Sequence, residues 1–160
     1  MLELLHALTS LALHPAAAPF VVRALQPLLA PGAPELLQAA GLRLLCRLWR
    51  GTGRGYAHLR GAVLGYAAPG TEPGPALRVA RAECIRDICA ADGGKGAEYV
   101  REVQAGLGDP LPAVQEAALD CIALLCEDDT LDFYPAWRIV HRALPTLPGH
   151  RRPAAAWVSQ

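Results

Sequence analysis

Cysteine and histidine are the residues of this 160-residue chain with the most capacity for chemistry, five of each. Cys84 with Cys89 and Cys121 with Cys126 form two C-x4-C pairs, and Cys46 stands apart. A structural zinc site wants closer ligand pairs with a second pair nearby. These thiols lie in apolar runs instead, and they read as buried free cysteines of a reducing compartment. His6, His14, His58, His141 and His150 are scattered, with no HExxH and no pair at i, i+4 to put two imidazoles on one helix face. Ser10 and Ser159 are the only serines, and neither sits in G-x-S-x-G. The RGTGRG stretch (Gly51, Gly53, Gly55) has the glycines of a phosphate loop, but no GK[ST] follows it. It also comes after a helical run rather than a strand, so it reads as a turn between two helices. Glu127, Asp128, Asp129 and Asp132 lack the glycine and terminal Glu of a calcium loop. They are placed to complement the dipole of a following helix. No catalytic, metal or cofactor set emerges, and the expectation is a protein that is not an enzyme and needs no cofactor.

The elements that must carry any function are helical. Apolar residues make up 52% of the chain and charged residues 19%, too apolar for a disordered chain. Ala and Leu far outnumber Val and Ile, which favours helix over sheet. Pro and Gly recur in HPAAAP, APGAP, RGTGRG, APGTEPGP, ADGGKG, LGDPLP and TLPGH, and the runs between them have helical length. About eight helices follow: 2–13, 19–29, 34–49, 55–67, 76–91, 97–107, 112–126 and 133–144. Pro19, Pro34 and Pro112 are expected to open helices, Asp109 to cap the one at 112, and Pro27 to kink or stop the one around it. Trp49 and Trp137 read as packing aromatics, and Trp157 as exposed or partner-bound. The uncharged stretch from Leu4 to Val22 is broken by His6, His14, Pro15 and Pro19, so no membrane span is expected. The first charge is Glu3, which argues against a secretory signal.

The helices repeat. Moving the 112–126 run back 37 residues lays Cys121 on Cys84, Ile122 on Ile85 and Cys126 on Cys89. A further 40 lays Leu77 on Leu37, Ala80 on Ala40 and Ile88 on Leu48. The agreeing positions are small or apolar, as when each helix pair buries its face on the next pair. Ala40, Ala80 and Ala117 are expected to let helix axes come close. The expected fold is therefore all-α, an α-solenoid of antiparallel helix pairs over residues 1–144, with a flexible tail over 145–160. The 2–13 helix is too apolar all round to cap such an array, so the chain is expected to be a segment of a longer array or to pair with another chain.

On the 34–49 helix, Leu37, Ala40, Leu44 and Leu48 form one stripe and Leu42, Cys46 and Trp49 another. The strip between them carries Arg43, Arg47 and Arg50. In the repeat register Arg43 corresponds to Glu83 and then Asp120, and Arg47 to Asp87. Residues 1–80 carry a net charge of +4 and residues 81–160 a net −4. Arg43, Arg47, Arg50, Glu83, Asp87 and Asp120 are thus the candidate partner-binding residues. A second reading takes Arg43, Arg47 and Arg50 with Arg54 and Arg60 as a nucleic-acid surface.

The D-x-x-P-x-V-Q-x-A-A run at 109–118 resembles the second helix of a HEAT repeat, of the HEAT/armadillo type. Three longer stretches, LALHPAAAPFVVRALQPLL, ALRVARAECIRDIC and EDDTLDFYPAWRIVHRAL, resemble the focadhesin family of large helical-repeat proteins over roughly residues 2–144. That resemblance implies a cytoplasmic or focal-adhesion scaffold without catalysis. It also implies vinculin and the superkiller RNA-decay complex as partners.

Overall fold

Pro19 and Pro112 each stand in the first turn of a helix, where a missing N–H leaves no helical bond unmade. The computed structural model describes residues 15–65 and 72–143. Within them the chain is all-α, as expected, with no strand. After a 3-10 turn at Pro15–Ala17 come α1 (Ala18–Leu25), α2 (Glu35–Thr52), α3 (Tyr56–Gly65), α4 (Pro75–Ala91), α5 (Val100–Leu107), α6 (Pro112–Glu127) and α7 (Phe133–Ala143). These match seven of the expected helices. The expected helix at 2–13, the boundary at 144/145 and the tail lie outside the described residues.

Several boundaries differ from the sequence expectation for local reasons. Pro27 stops α1 early at Leu25, and the chain leaves it as turns. Pro34 is the residue before α2 rather than its first, with an extended ψ of 138°. Its carbonyl accepts the Leu37 and Gln38 amides at 2.9 and 3.0 Å. At the other end α2 runs on to Thr52, because Gly53 supplies the left-handed residue that closes it, φ 68°, with its amide on the Trp49 carbonyl at 2.7 Å. RGTGRG is thus the end of α2 and its turn into α3. The expected 97–107 helix is broken. Asp92 caps a helical turn at Gly93–Gly96 by accepting the Lys95 amide, and a 3-10 turn at Ala97–Tyr99 follows before α5 begins. The fully buried Tyr99 ring anchors that irregular stretch.

Asp109 does not cap α6 directly. Its carboxylate accepts the Leu111 amide at 2.8 Å, in the turn before the helix. Of the acidic run, Glu127 ends α6 and Asp132 directly precedes α7, as expected of an acid near that helix start, while the first turn of α7 itself holds no acid. Asp129 takes a left-handed φ of 53°, and the Thr130 and Leu131 amides both close on the Leu125 carbonyl.

The chain divides into two units, residues 1–84 and 85–160, with the division inside α4. In the first unit α2 packs on α1 and on α3. Its core is Leu25, Leu42, Leu45, Leu48, Leu59 and Val63, all essentially inaccessible to solvent. In the second unit α5 packs on α6, and α7 packs on both. Its centre is Ile88, Tyr99, Leu107, Ile122 and Leu125. Within each unit the helices named here bury apolar residues on one another, the solenoid-like packing that the repeat pattern called for. Ala80 and Ala117 are buried as small contact residues, whereas Ala40 is only half-buried. At the α5–α6 contact the close approach belongs to Gly106, where a Cβ would meet that of Ala118 at 3.3 Å.

Candidate partner-binding surface

Only one strip of α2 faces outward. Leu42, Leu45, Cys46, Leu48 and Trp49 are buried, with Leu37, Ala40 and Leu44 half-buried at the flank. Leu36, Arg43, Arg47 and Arg50 remain exposed at helical spacing, and Leu36 keeps 73% of its surface. The strip inferred from sequence is thus present.

The structure pairs these candidates unevenly. Arg43 donates from Nε to the Glu83 carboxylate at 2.8 Å, and its Nη2 lies 2.7 Å from the same oxygen. Two residues matched by repeat register therefore hold one another across α2 and α4. Arg47 is exposed and pairs with no described acid. In the second unit Arg86, which sequence reasoning passed over, gathers two other candidates. It lies 3.5 Å from Asp87 and 4.0 Å from Asp120. Burial pushes the Asp120 carboxyl above its ordinary value and Glu116 adds to this, while Arg86 pulls the other way. The net upward shift shows that Arg86 only partly compensates Asp120.

Three polar side chains that hold these helices in place were also missed. Glu35, in the first turn of α2, accepts the Leu77 amide at 3.0 Å and so serves the N-terminus of α4 from a neighbouring helix. The buried Gln38 amide donates to the Ala30 and Ala33 carbonyls at 3.0 and 2.8 Å and fastens the loop before its own helix. The buried Gln115 does the same in the second unit, donating to the Asp109 carbonyl at 2.8 Å. Gln38 and Gln115 share one repeat position, a signal the sequence carried.

The other sequence candidates fall as follows. Trp49 is a packing aromatic, 5.5 Å from the Tyr56 ring. Trp137 is not: 45% of it is exposed on α7, because that helix buries Ala136 and Val140 instead. Cys46, Cys84, Cys89 and Cys121 are buried free thiols, and Cys126 is half-buried. Cys121 and Cys89 are hydrogen-bonded, which holds Cys89 below the ordinary thiol value and Cys121 far above it. Among the described residues no group of three His, Cys, Asp or Glu is arranged to hold a metal ion. No described helix is long and apolar enough to cross a membrane.

Compared with known families, the sequence matches the one described as Focadhesin/RST1, DUF3730, over residues 1–158. The chain belongs to the Focadhesin/RST1 family. That match spans nearly every residue and both structural units. The search of curated proteins found no match, and neither did the search of solved structures. Membership in the Focadhesin/RST1 family and the all-α fold together make this a helical module of the kind that supports protein contacts.

Proposed function

We propose that this Focadhesin/RST1 chain is a noncatalytic scaffold segment of HEAT/armadillo type that binds other proteins through charged strips on its helices. The observation that carries the reading is the outward strip of α2, where Arg47 and Arg50 stand exposed about one turn apart on an otherwise packed helix, with exposed Leu36 about three turns nearer its N-terminus. An exposed guanidinium offers directional hydrogen bonds to a partner's carboxylates, and arginine is enriched where binding energy concentrates. Glu83, Asp87 and Asp120 supply the opposite sign on α4 and α6.

Family resemblance makes vinculin and subunits of the superkiller complex the partners to test first. The same resemblance supports a cytoplasmic and focal-adhesion location. The nucleic-acid reading loses ground because Glu83 already neutralises Arg43, the first of its five arginines.

The test is binding of the purified chain to purified vinculin and to the purified superkiller complex. Arg47→Glu with Arg50→Glu should weaken at least one of these contacts by about tenfold or more. Undiminished binding by the variant would refute the strip. RNA binding that falls steeply with salt and with the same substitutions would favour the nucleic-acid reading.

A further inference from the structure

Five large hydrophobic side chains are exposed among the described residues, and three of them are on α7. Phe133, Tyr134 and Trp137 keep 59%, 81% and 45% of their surface. The rings are already ordered. Phe133 and Trp137 stack with centroids 6.4 Å apart and planes 13° from parallel, and His141 follows 5.9 Å from Trp137. Their i, i+4, i+8 spacing makes one ladder along the helix. Arg138 and Arg142 are exposed along the border of that ladder, and neither pairs with a described acid. Ala136 and Val140 are the buried residues of the helix, so the ladder runs along the edge of its packed face.

A helix that exposes stacked rings beside guanidiniums with no described acid as partner has the composition of a binding hot spot. Side chains that already hold one another lose little freedom when covered. We propose that α7 receives a helix of another protein, with an apolar stripe to cover the rings and acidic residues along its border to meet Arg138 and Arg142. Charge decides among the occupants. Residues 144–160 contain no acid and carry His150, Arg151 and Arg152, so they match this border poorly. A second copy laid antiparallel about Trp137 would set Arg138 close to its own counterpart. A nucleic acid would meet Asp128, Asp129 and Asp132, which directly precede the helix. The proposal rests on the reading of the chain as an interaction module, but it uses a surface separate from the α2 strip.

The test uses the 160-residue chain and two synthetic amphipathic helical peptides with one shared Leu/Phe stripe. One peptide is bordered by Glu and the other by Lys, and calorimetry reads the affinities. The Glu-bordered peptide should bind about tenfold more tightly. Trp137→Ala should lower that affinity by about tenfold or more. Arg138→Glu with Arg142→Glu should reverse the preference. All three positions are exposed, so circular dichroism should show unchanged helicity. Arg47→Glu with Arg50→Glu should leave peptide binding as it was, which separates this site from the α2 strip. Equal binding of the two peptides, no binding of either, or indifference to the α7 substitutions would overturn the proposal. So would a concentration-dependent dimer, or binding of a uridine-rich RNA, that Trp137→Ala abolishes.

Discussion

Arg43 and Glu83 stand at one position of successive repeats, and they grip each other at 2.8 Å across two helices of the first unit. The repeat register thus lays complementary charges side by side rather than a continuous ridge of one sign. Both side chains are more than a third exposed, so the pair is held in a screened environment. A double-mutant cycle with Arg43→Ala and Glu83→Ala should give a coupling of about 0.2–1 kcal/mol in denaturant unfolding. Added salt should reduce it. A coupling above that range, insensitive to salt, would mean the pair is more deeply shielded than its exposure indicates.

Gln38 and Gln115 are the buried polar side chains of the described core, and each satisfies carbonyls of the loop ahead of its helix. Truncation removes the donor and leaves those carbonyls without it. Gln38→Ala and Gln115→Ala should each cost about 1–3 kcal/mol in urea unfolding. The exposed Gln104→Ala should stay within about 0.5 kcal/mol of the parent. Equal effects at all three positions would show that the loop carbonyls are satisfied some other way.

Asp120 supplies a pH dependence with a definite sign. Burial raises its carboxyl in the fold, so its charged form is disfavoured there relative to the unfolded chain. This contribution is absent below the ordinary aspartate value, near ~4, and turns unfavourable as pH rises through the raised folded value. Its side chain is half exposed, so the effect is small. Asp120→Asn should therefore match or slightly exceed the parent in stability at pH 7, with the gap closing on acidification. A variant clearly less stable at neutral pH would show that the contact with Arg86 outweighs desolvation.

The thiols give a chemical readout of the fold. Burial pushes Cys126 up, with Asp132 and then Glu127 adding to the shift, so even the most accessible cysteine is a poor nucleophile at neutral pH. Iodoacetamide should label the native chain slowly and only at Cys126, faster as pH rises. The other four should react after denaturation. Rapid native labelling at Cys89 or Cys121 would contradict their burial.

The helices were legible because Pro and Gly punctuate them and because the apolar register repeats at 37 and 40 residues. The equivalence of Arg43 with Glu83 was legible too, but not that the two would touch, since register alone does not say which side chains reach across a layer. Glu35 was hidden for a related reason: a first-turn acid looks like a cap for its own helix, and here it serves α4. Trp137 misled because aromatic residues are usually buried. In α7 the smaller Ala136 and Val140 face the neighbouring helices, and the rings are left outside.

The α2 strip can be tested where it stands. A photoreactive benzophenone amino acid placed at Arg47 should crosslink to whichever of vinculin or the superkiller complex the purified chain binds, while one at buried Leu45 should not. A partner that binds with undiminished affinity yet never crosslinks from position 47, and crosslinks instead from an exposed position on another helix, would contradict the assignment.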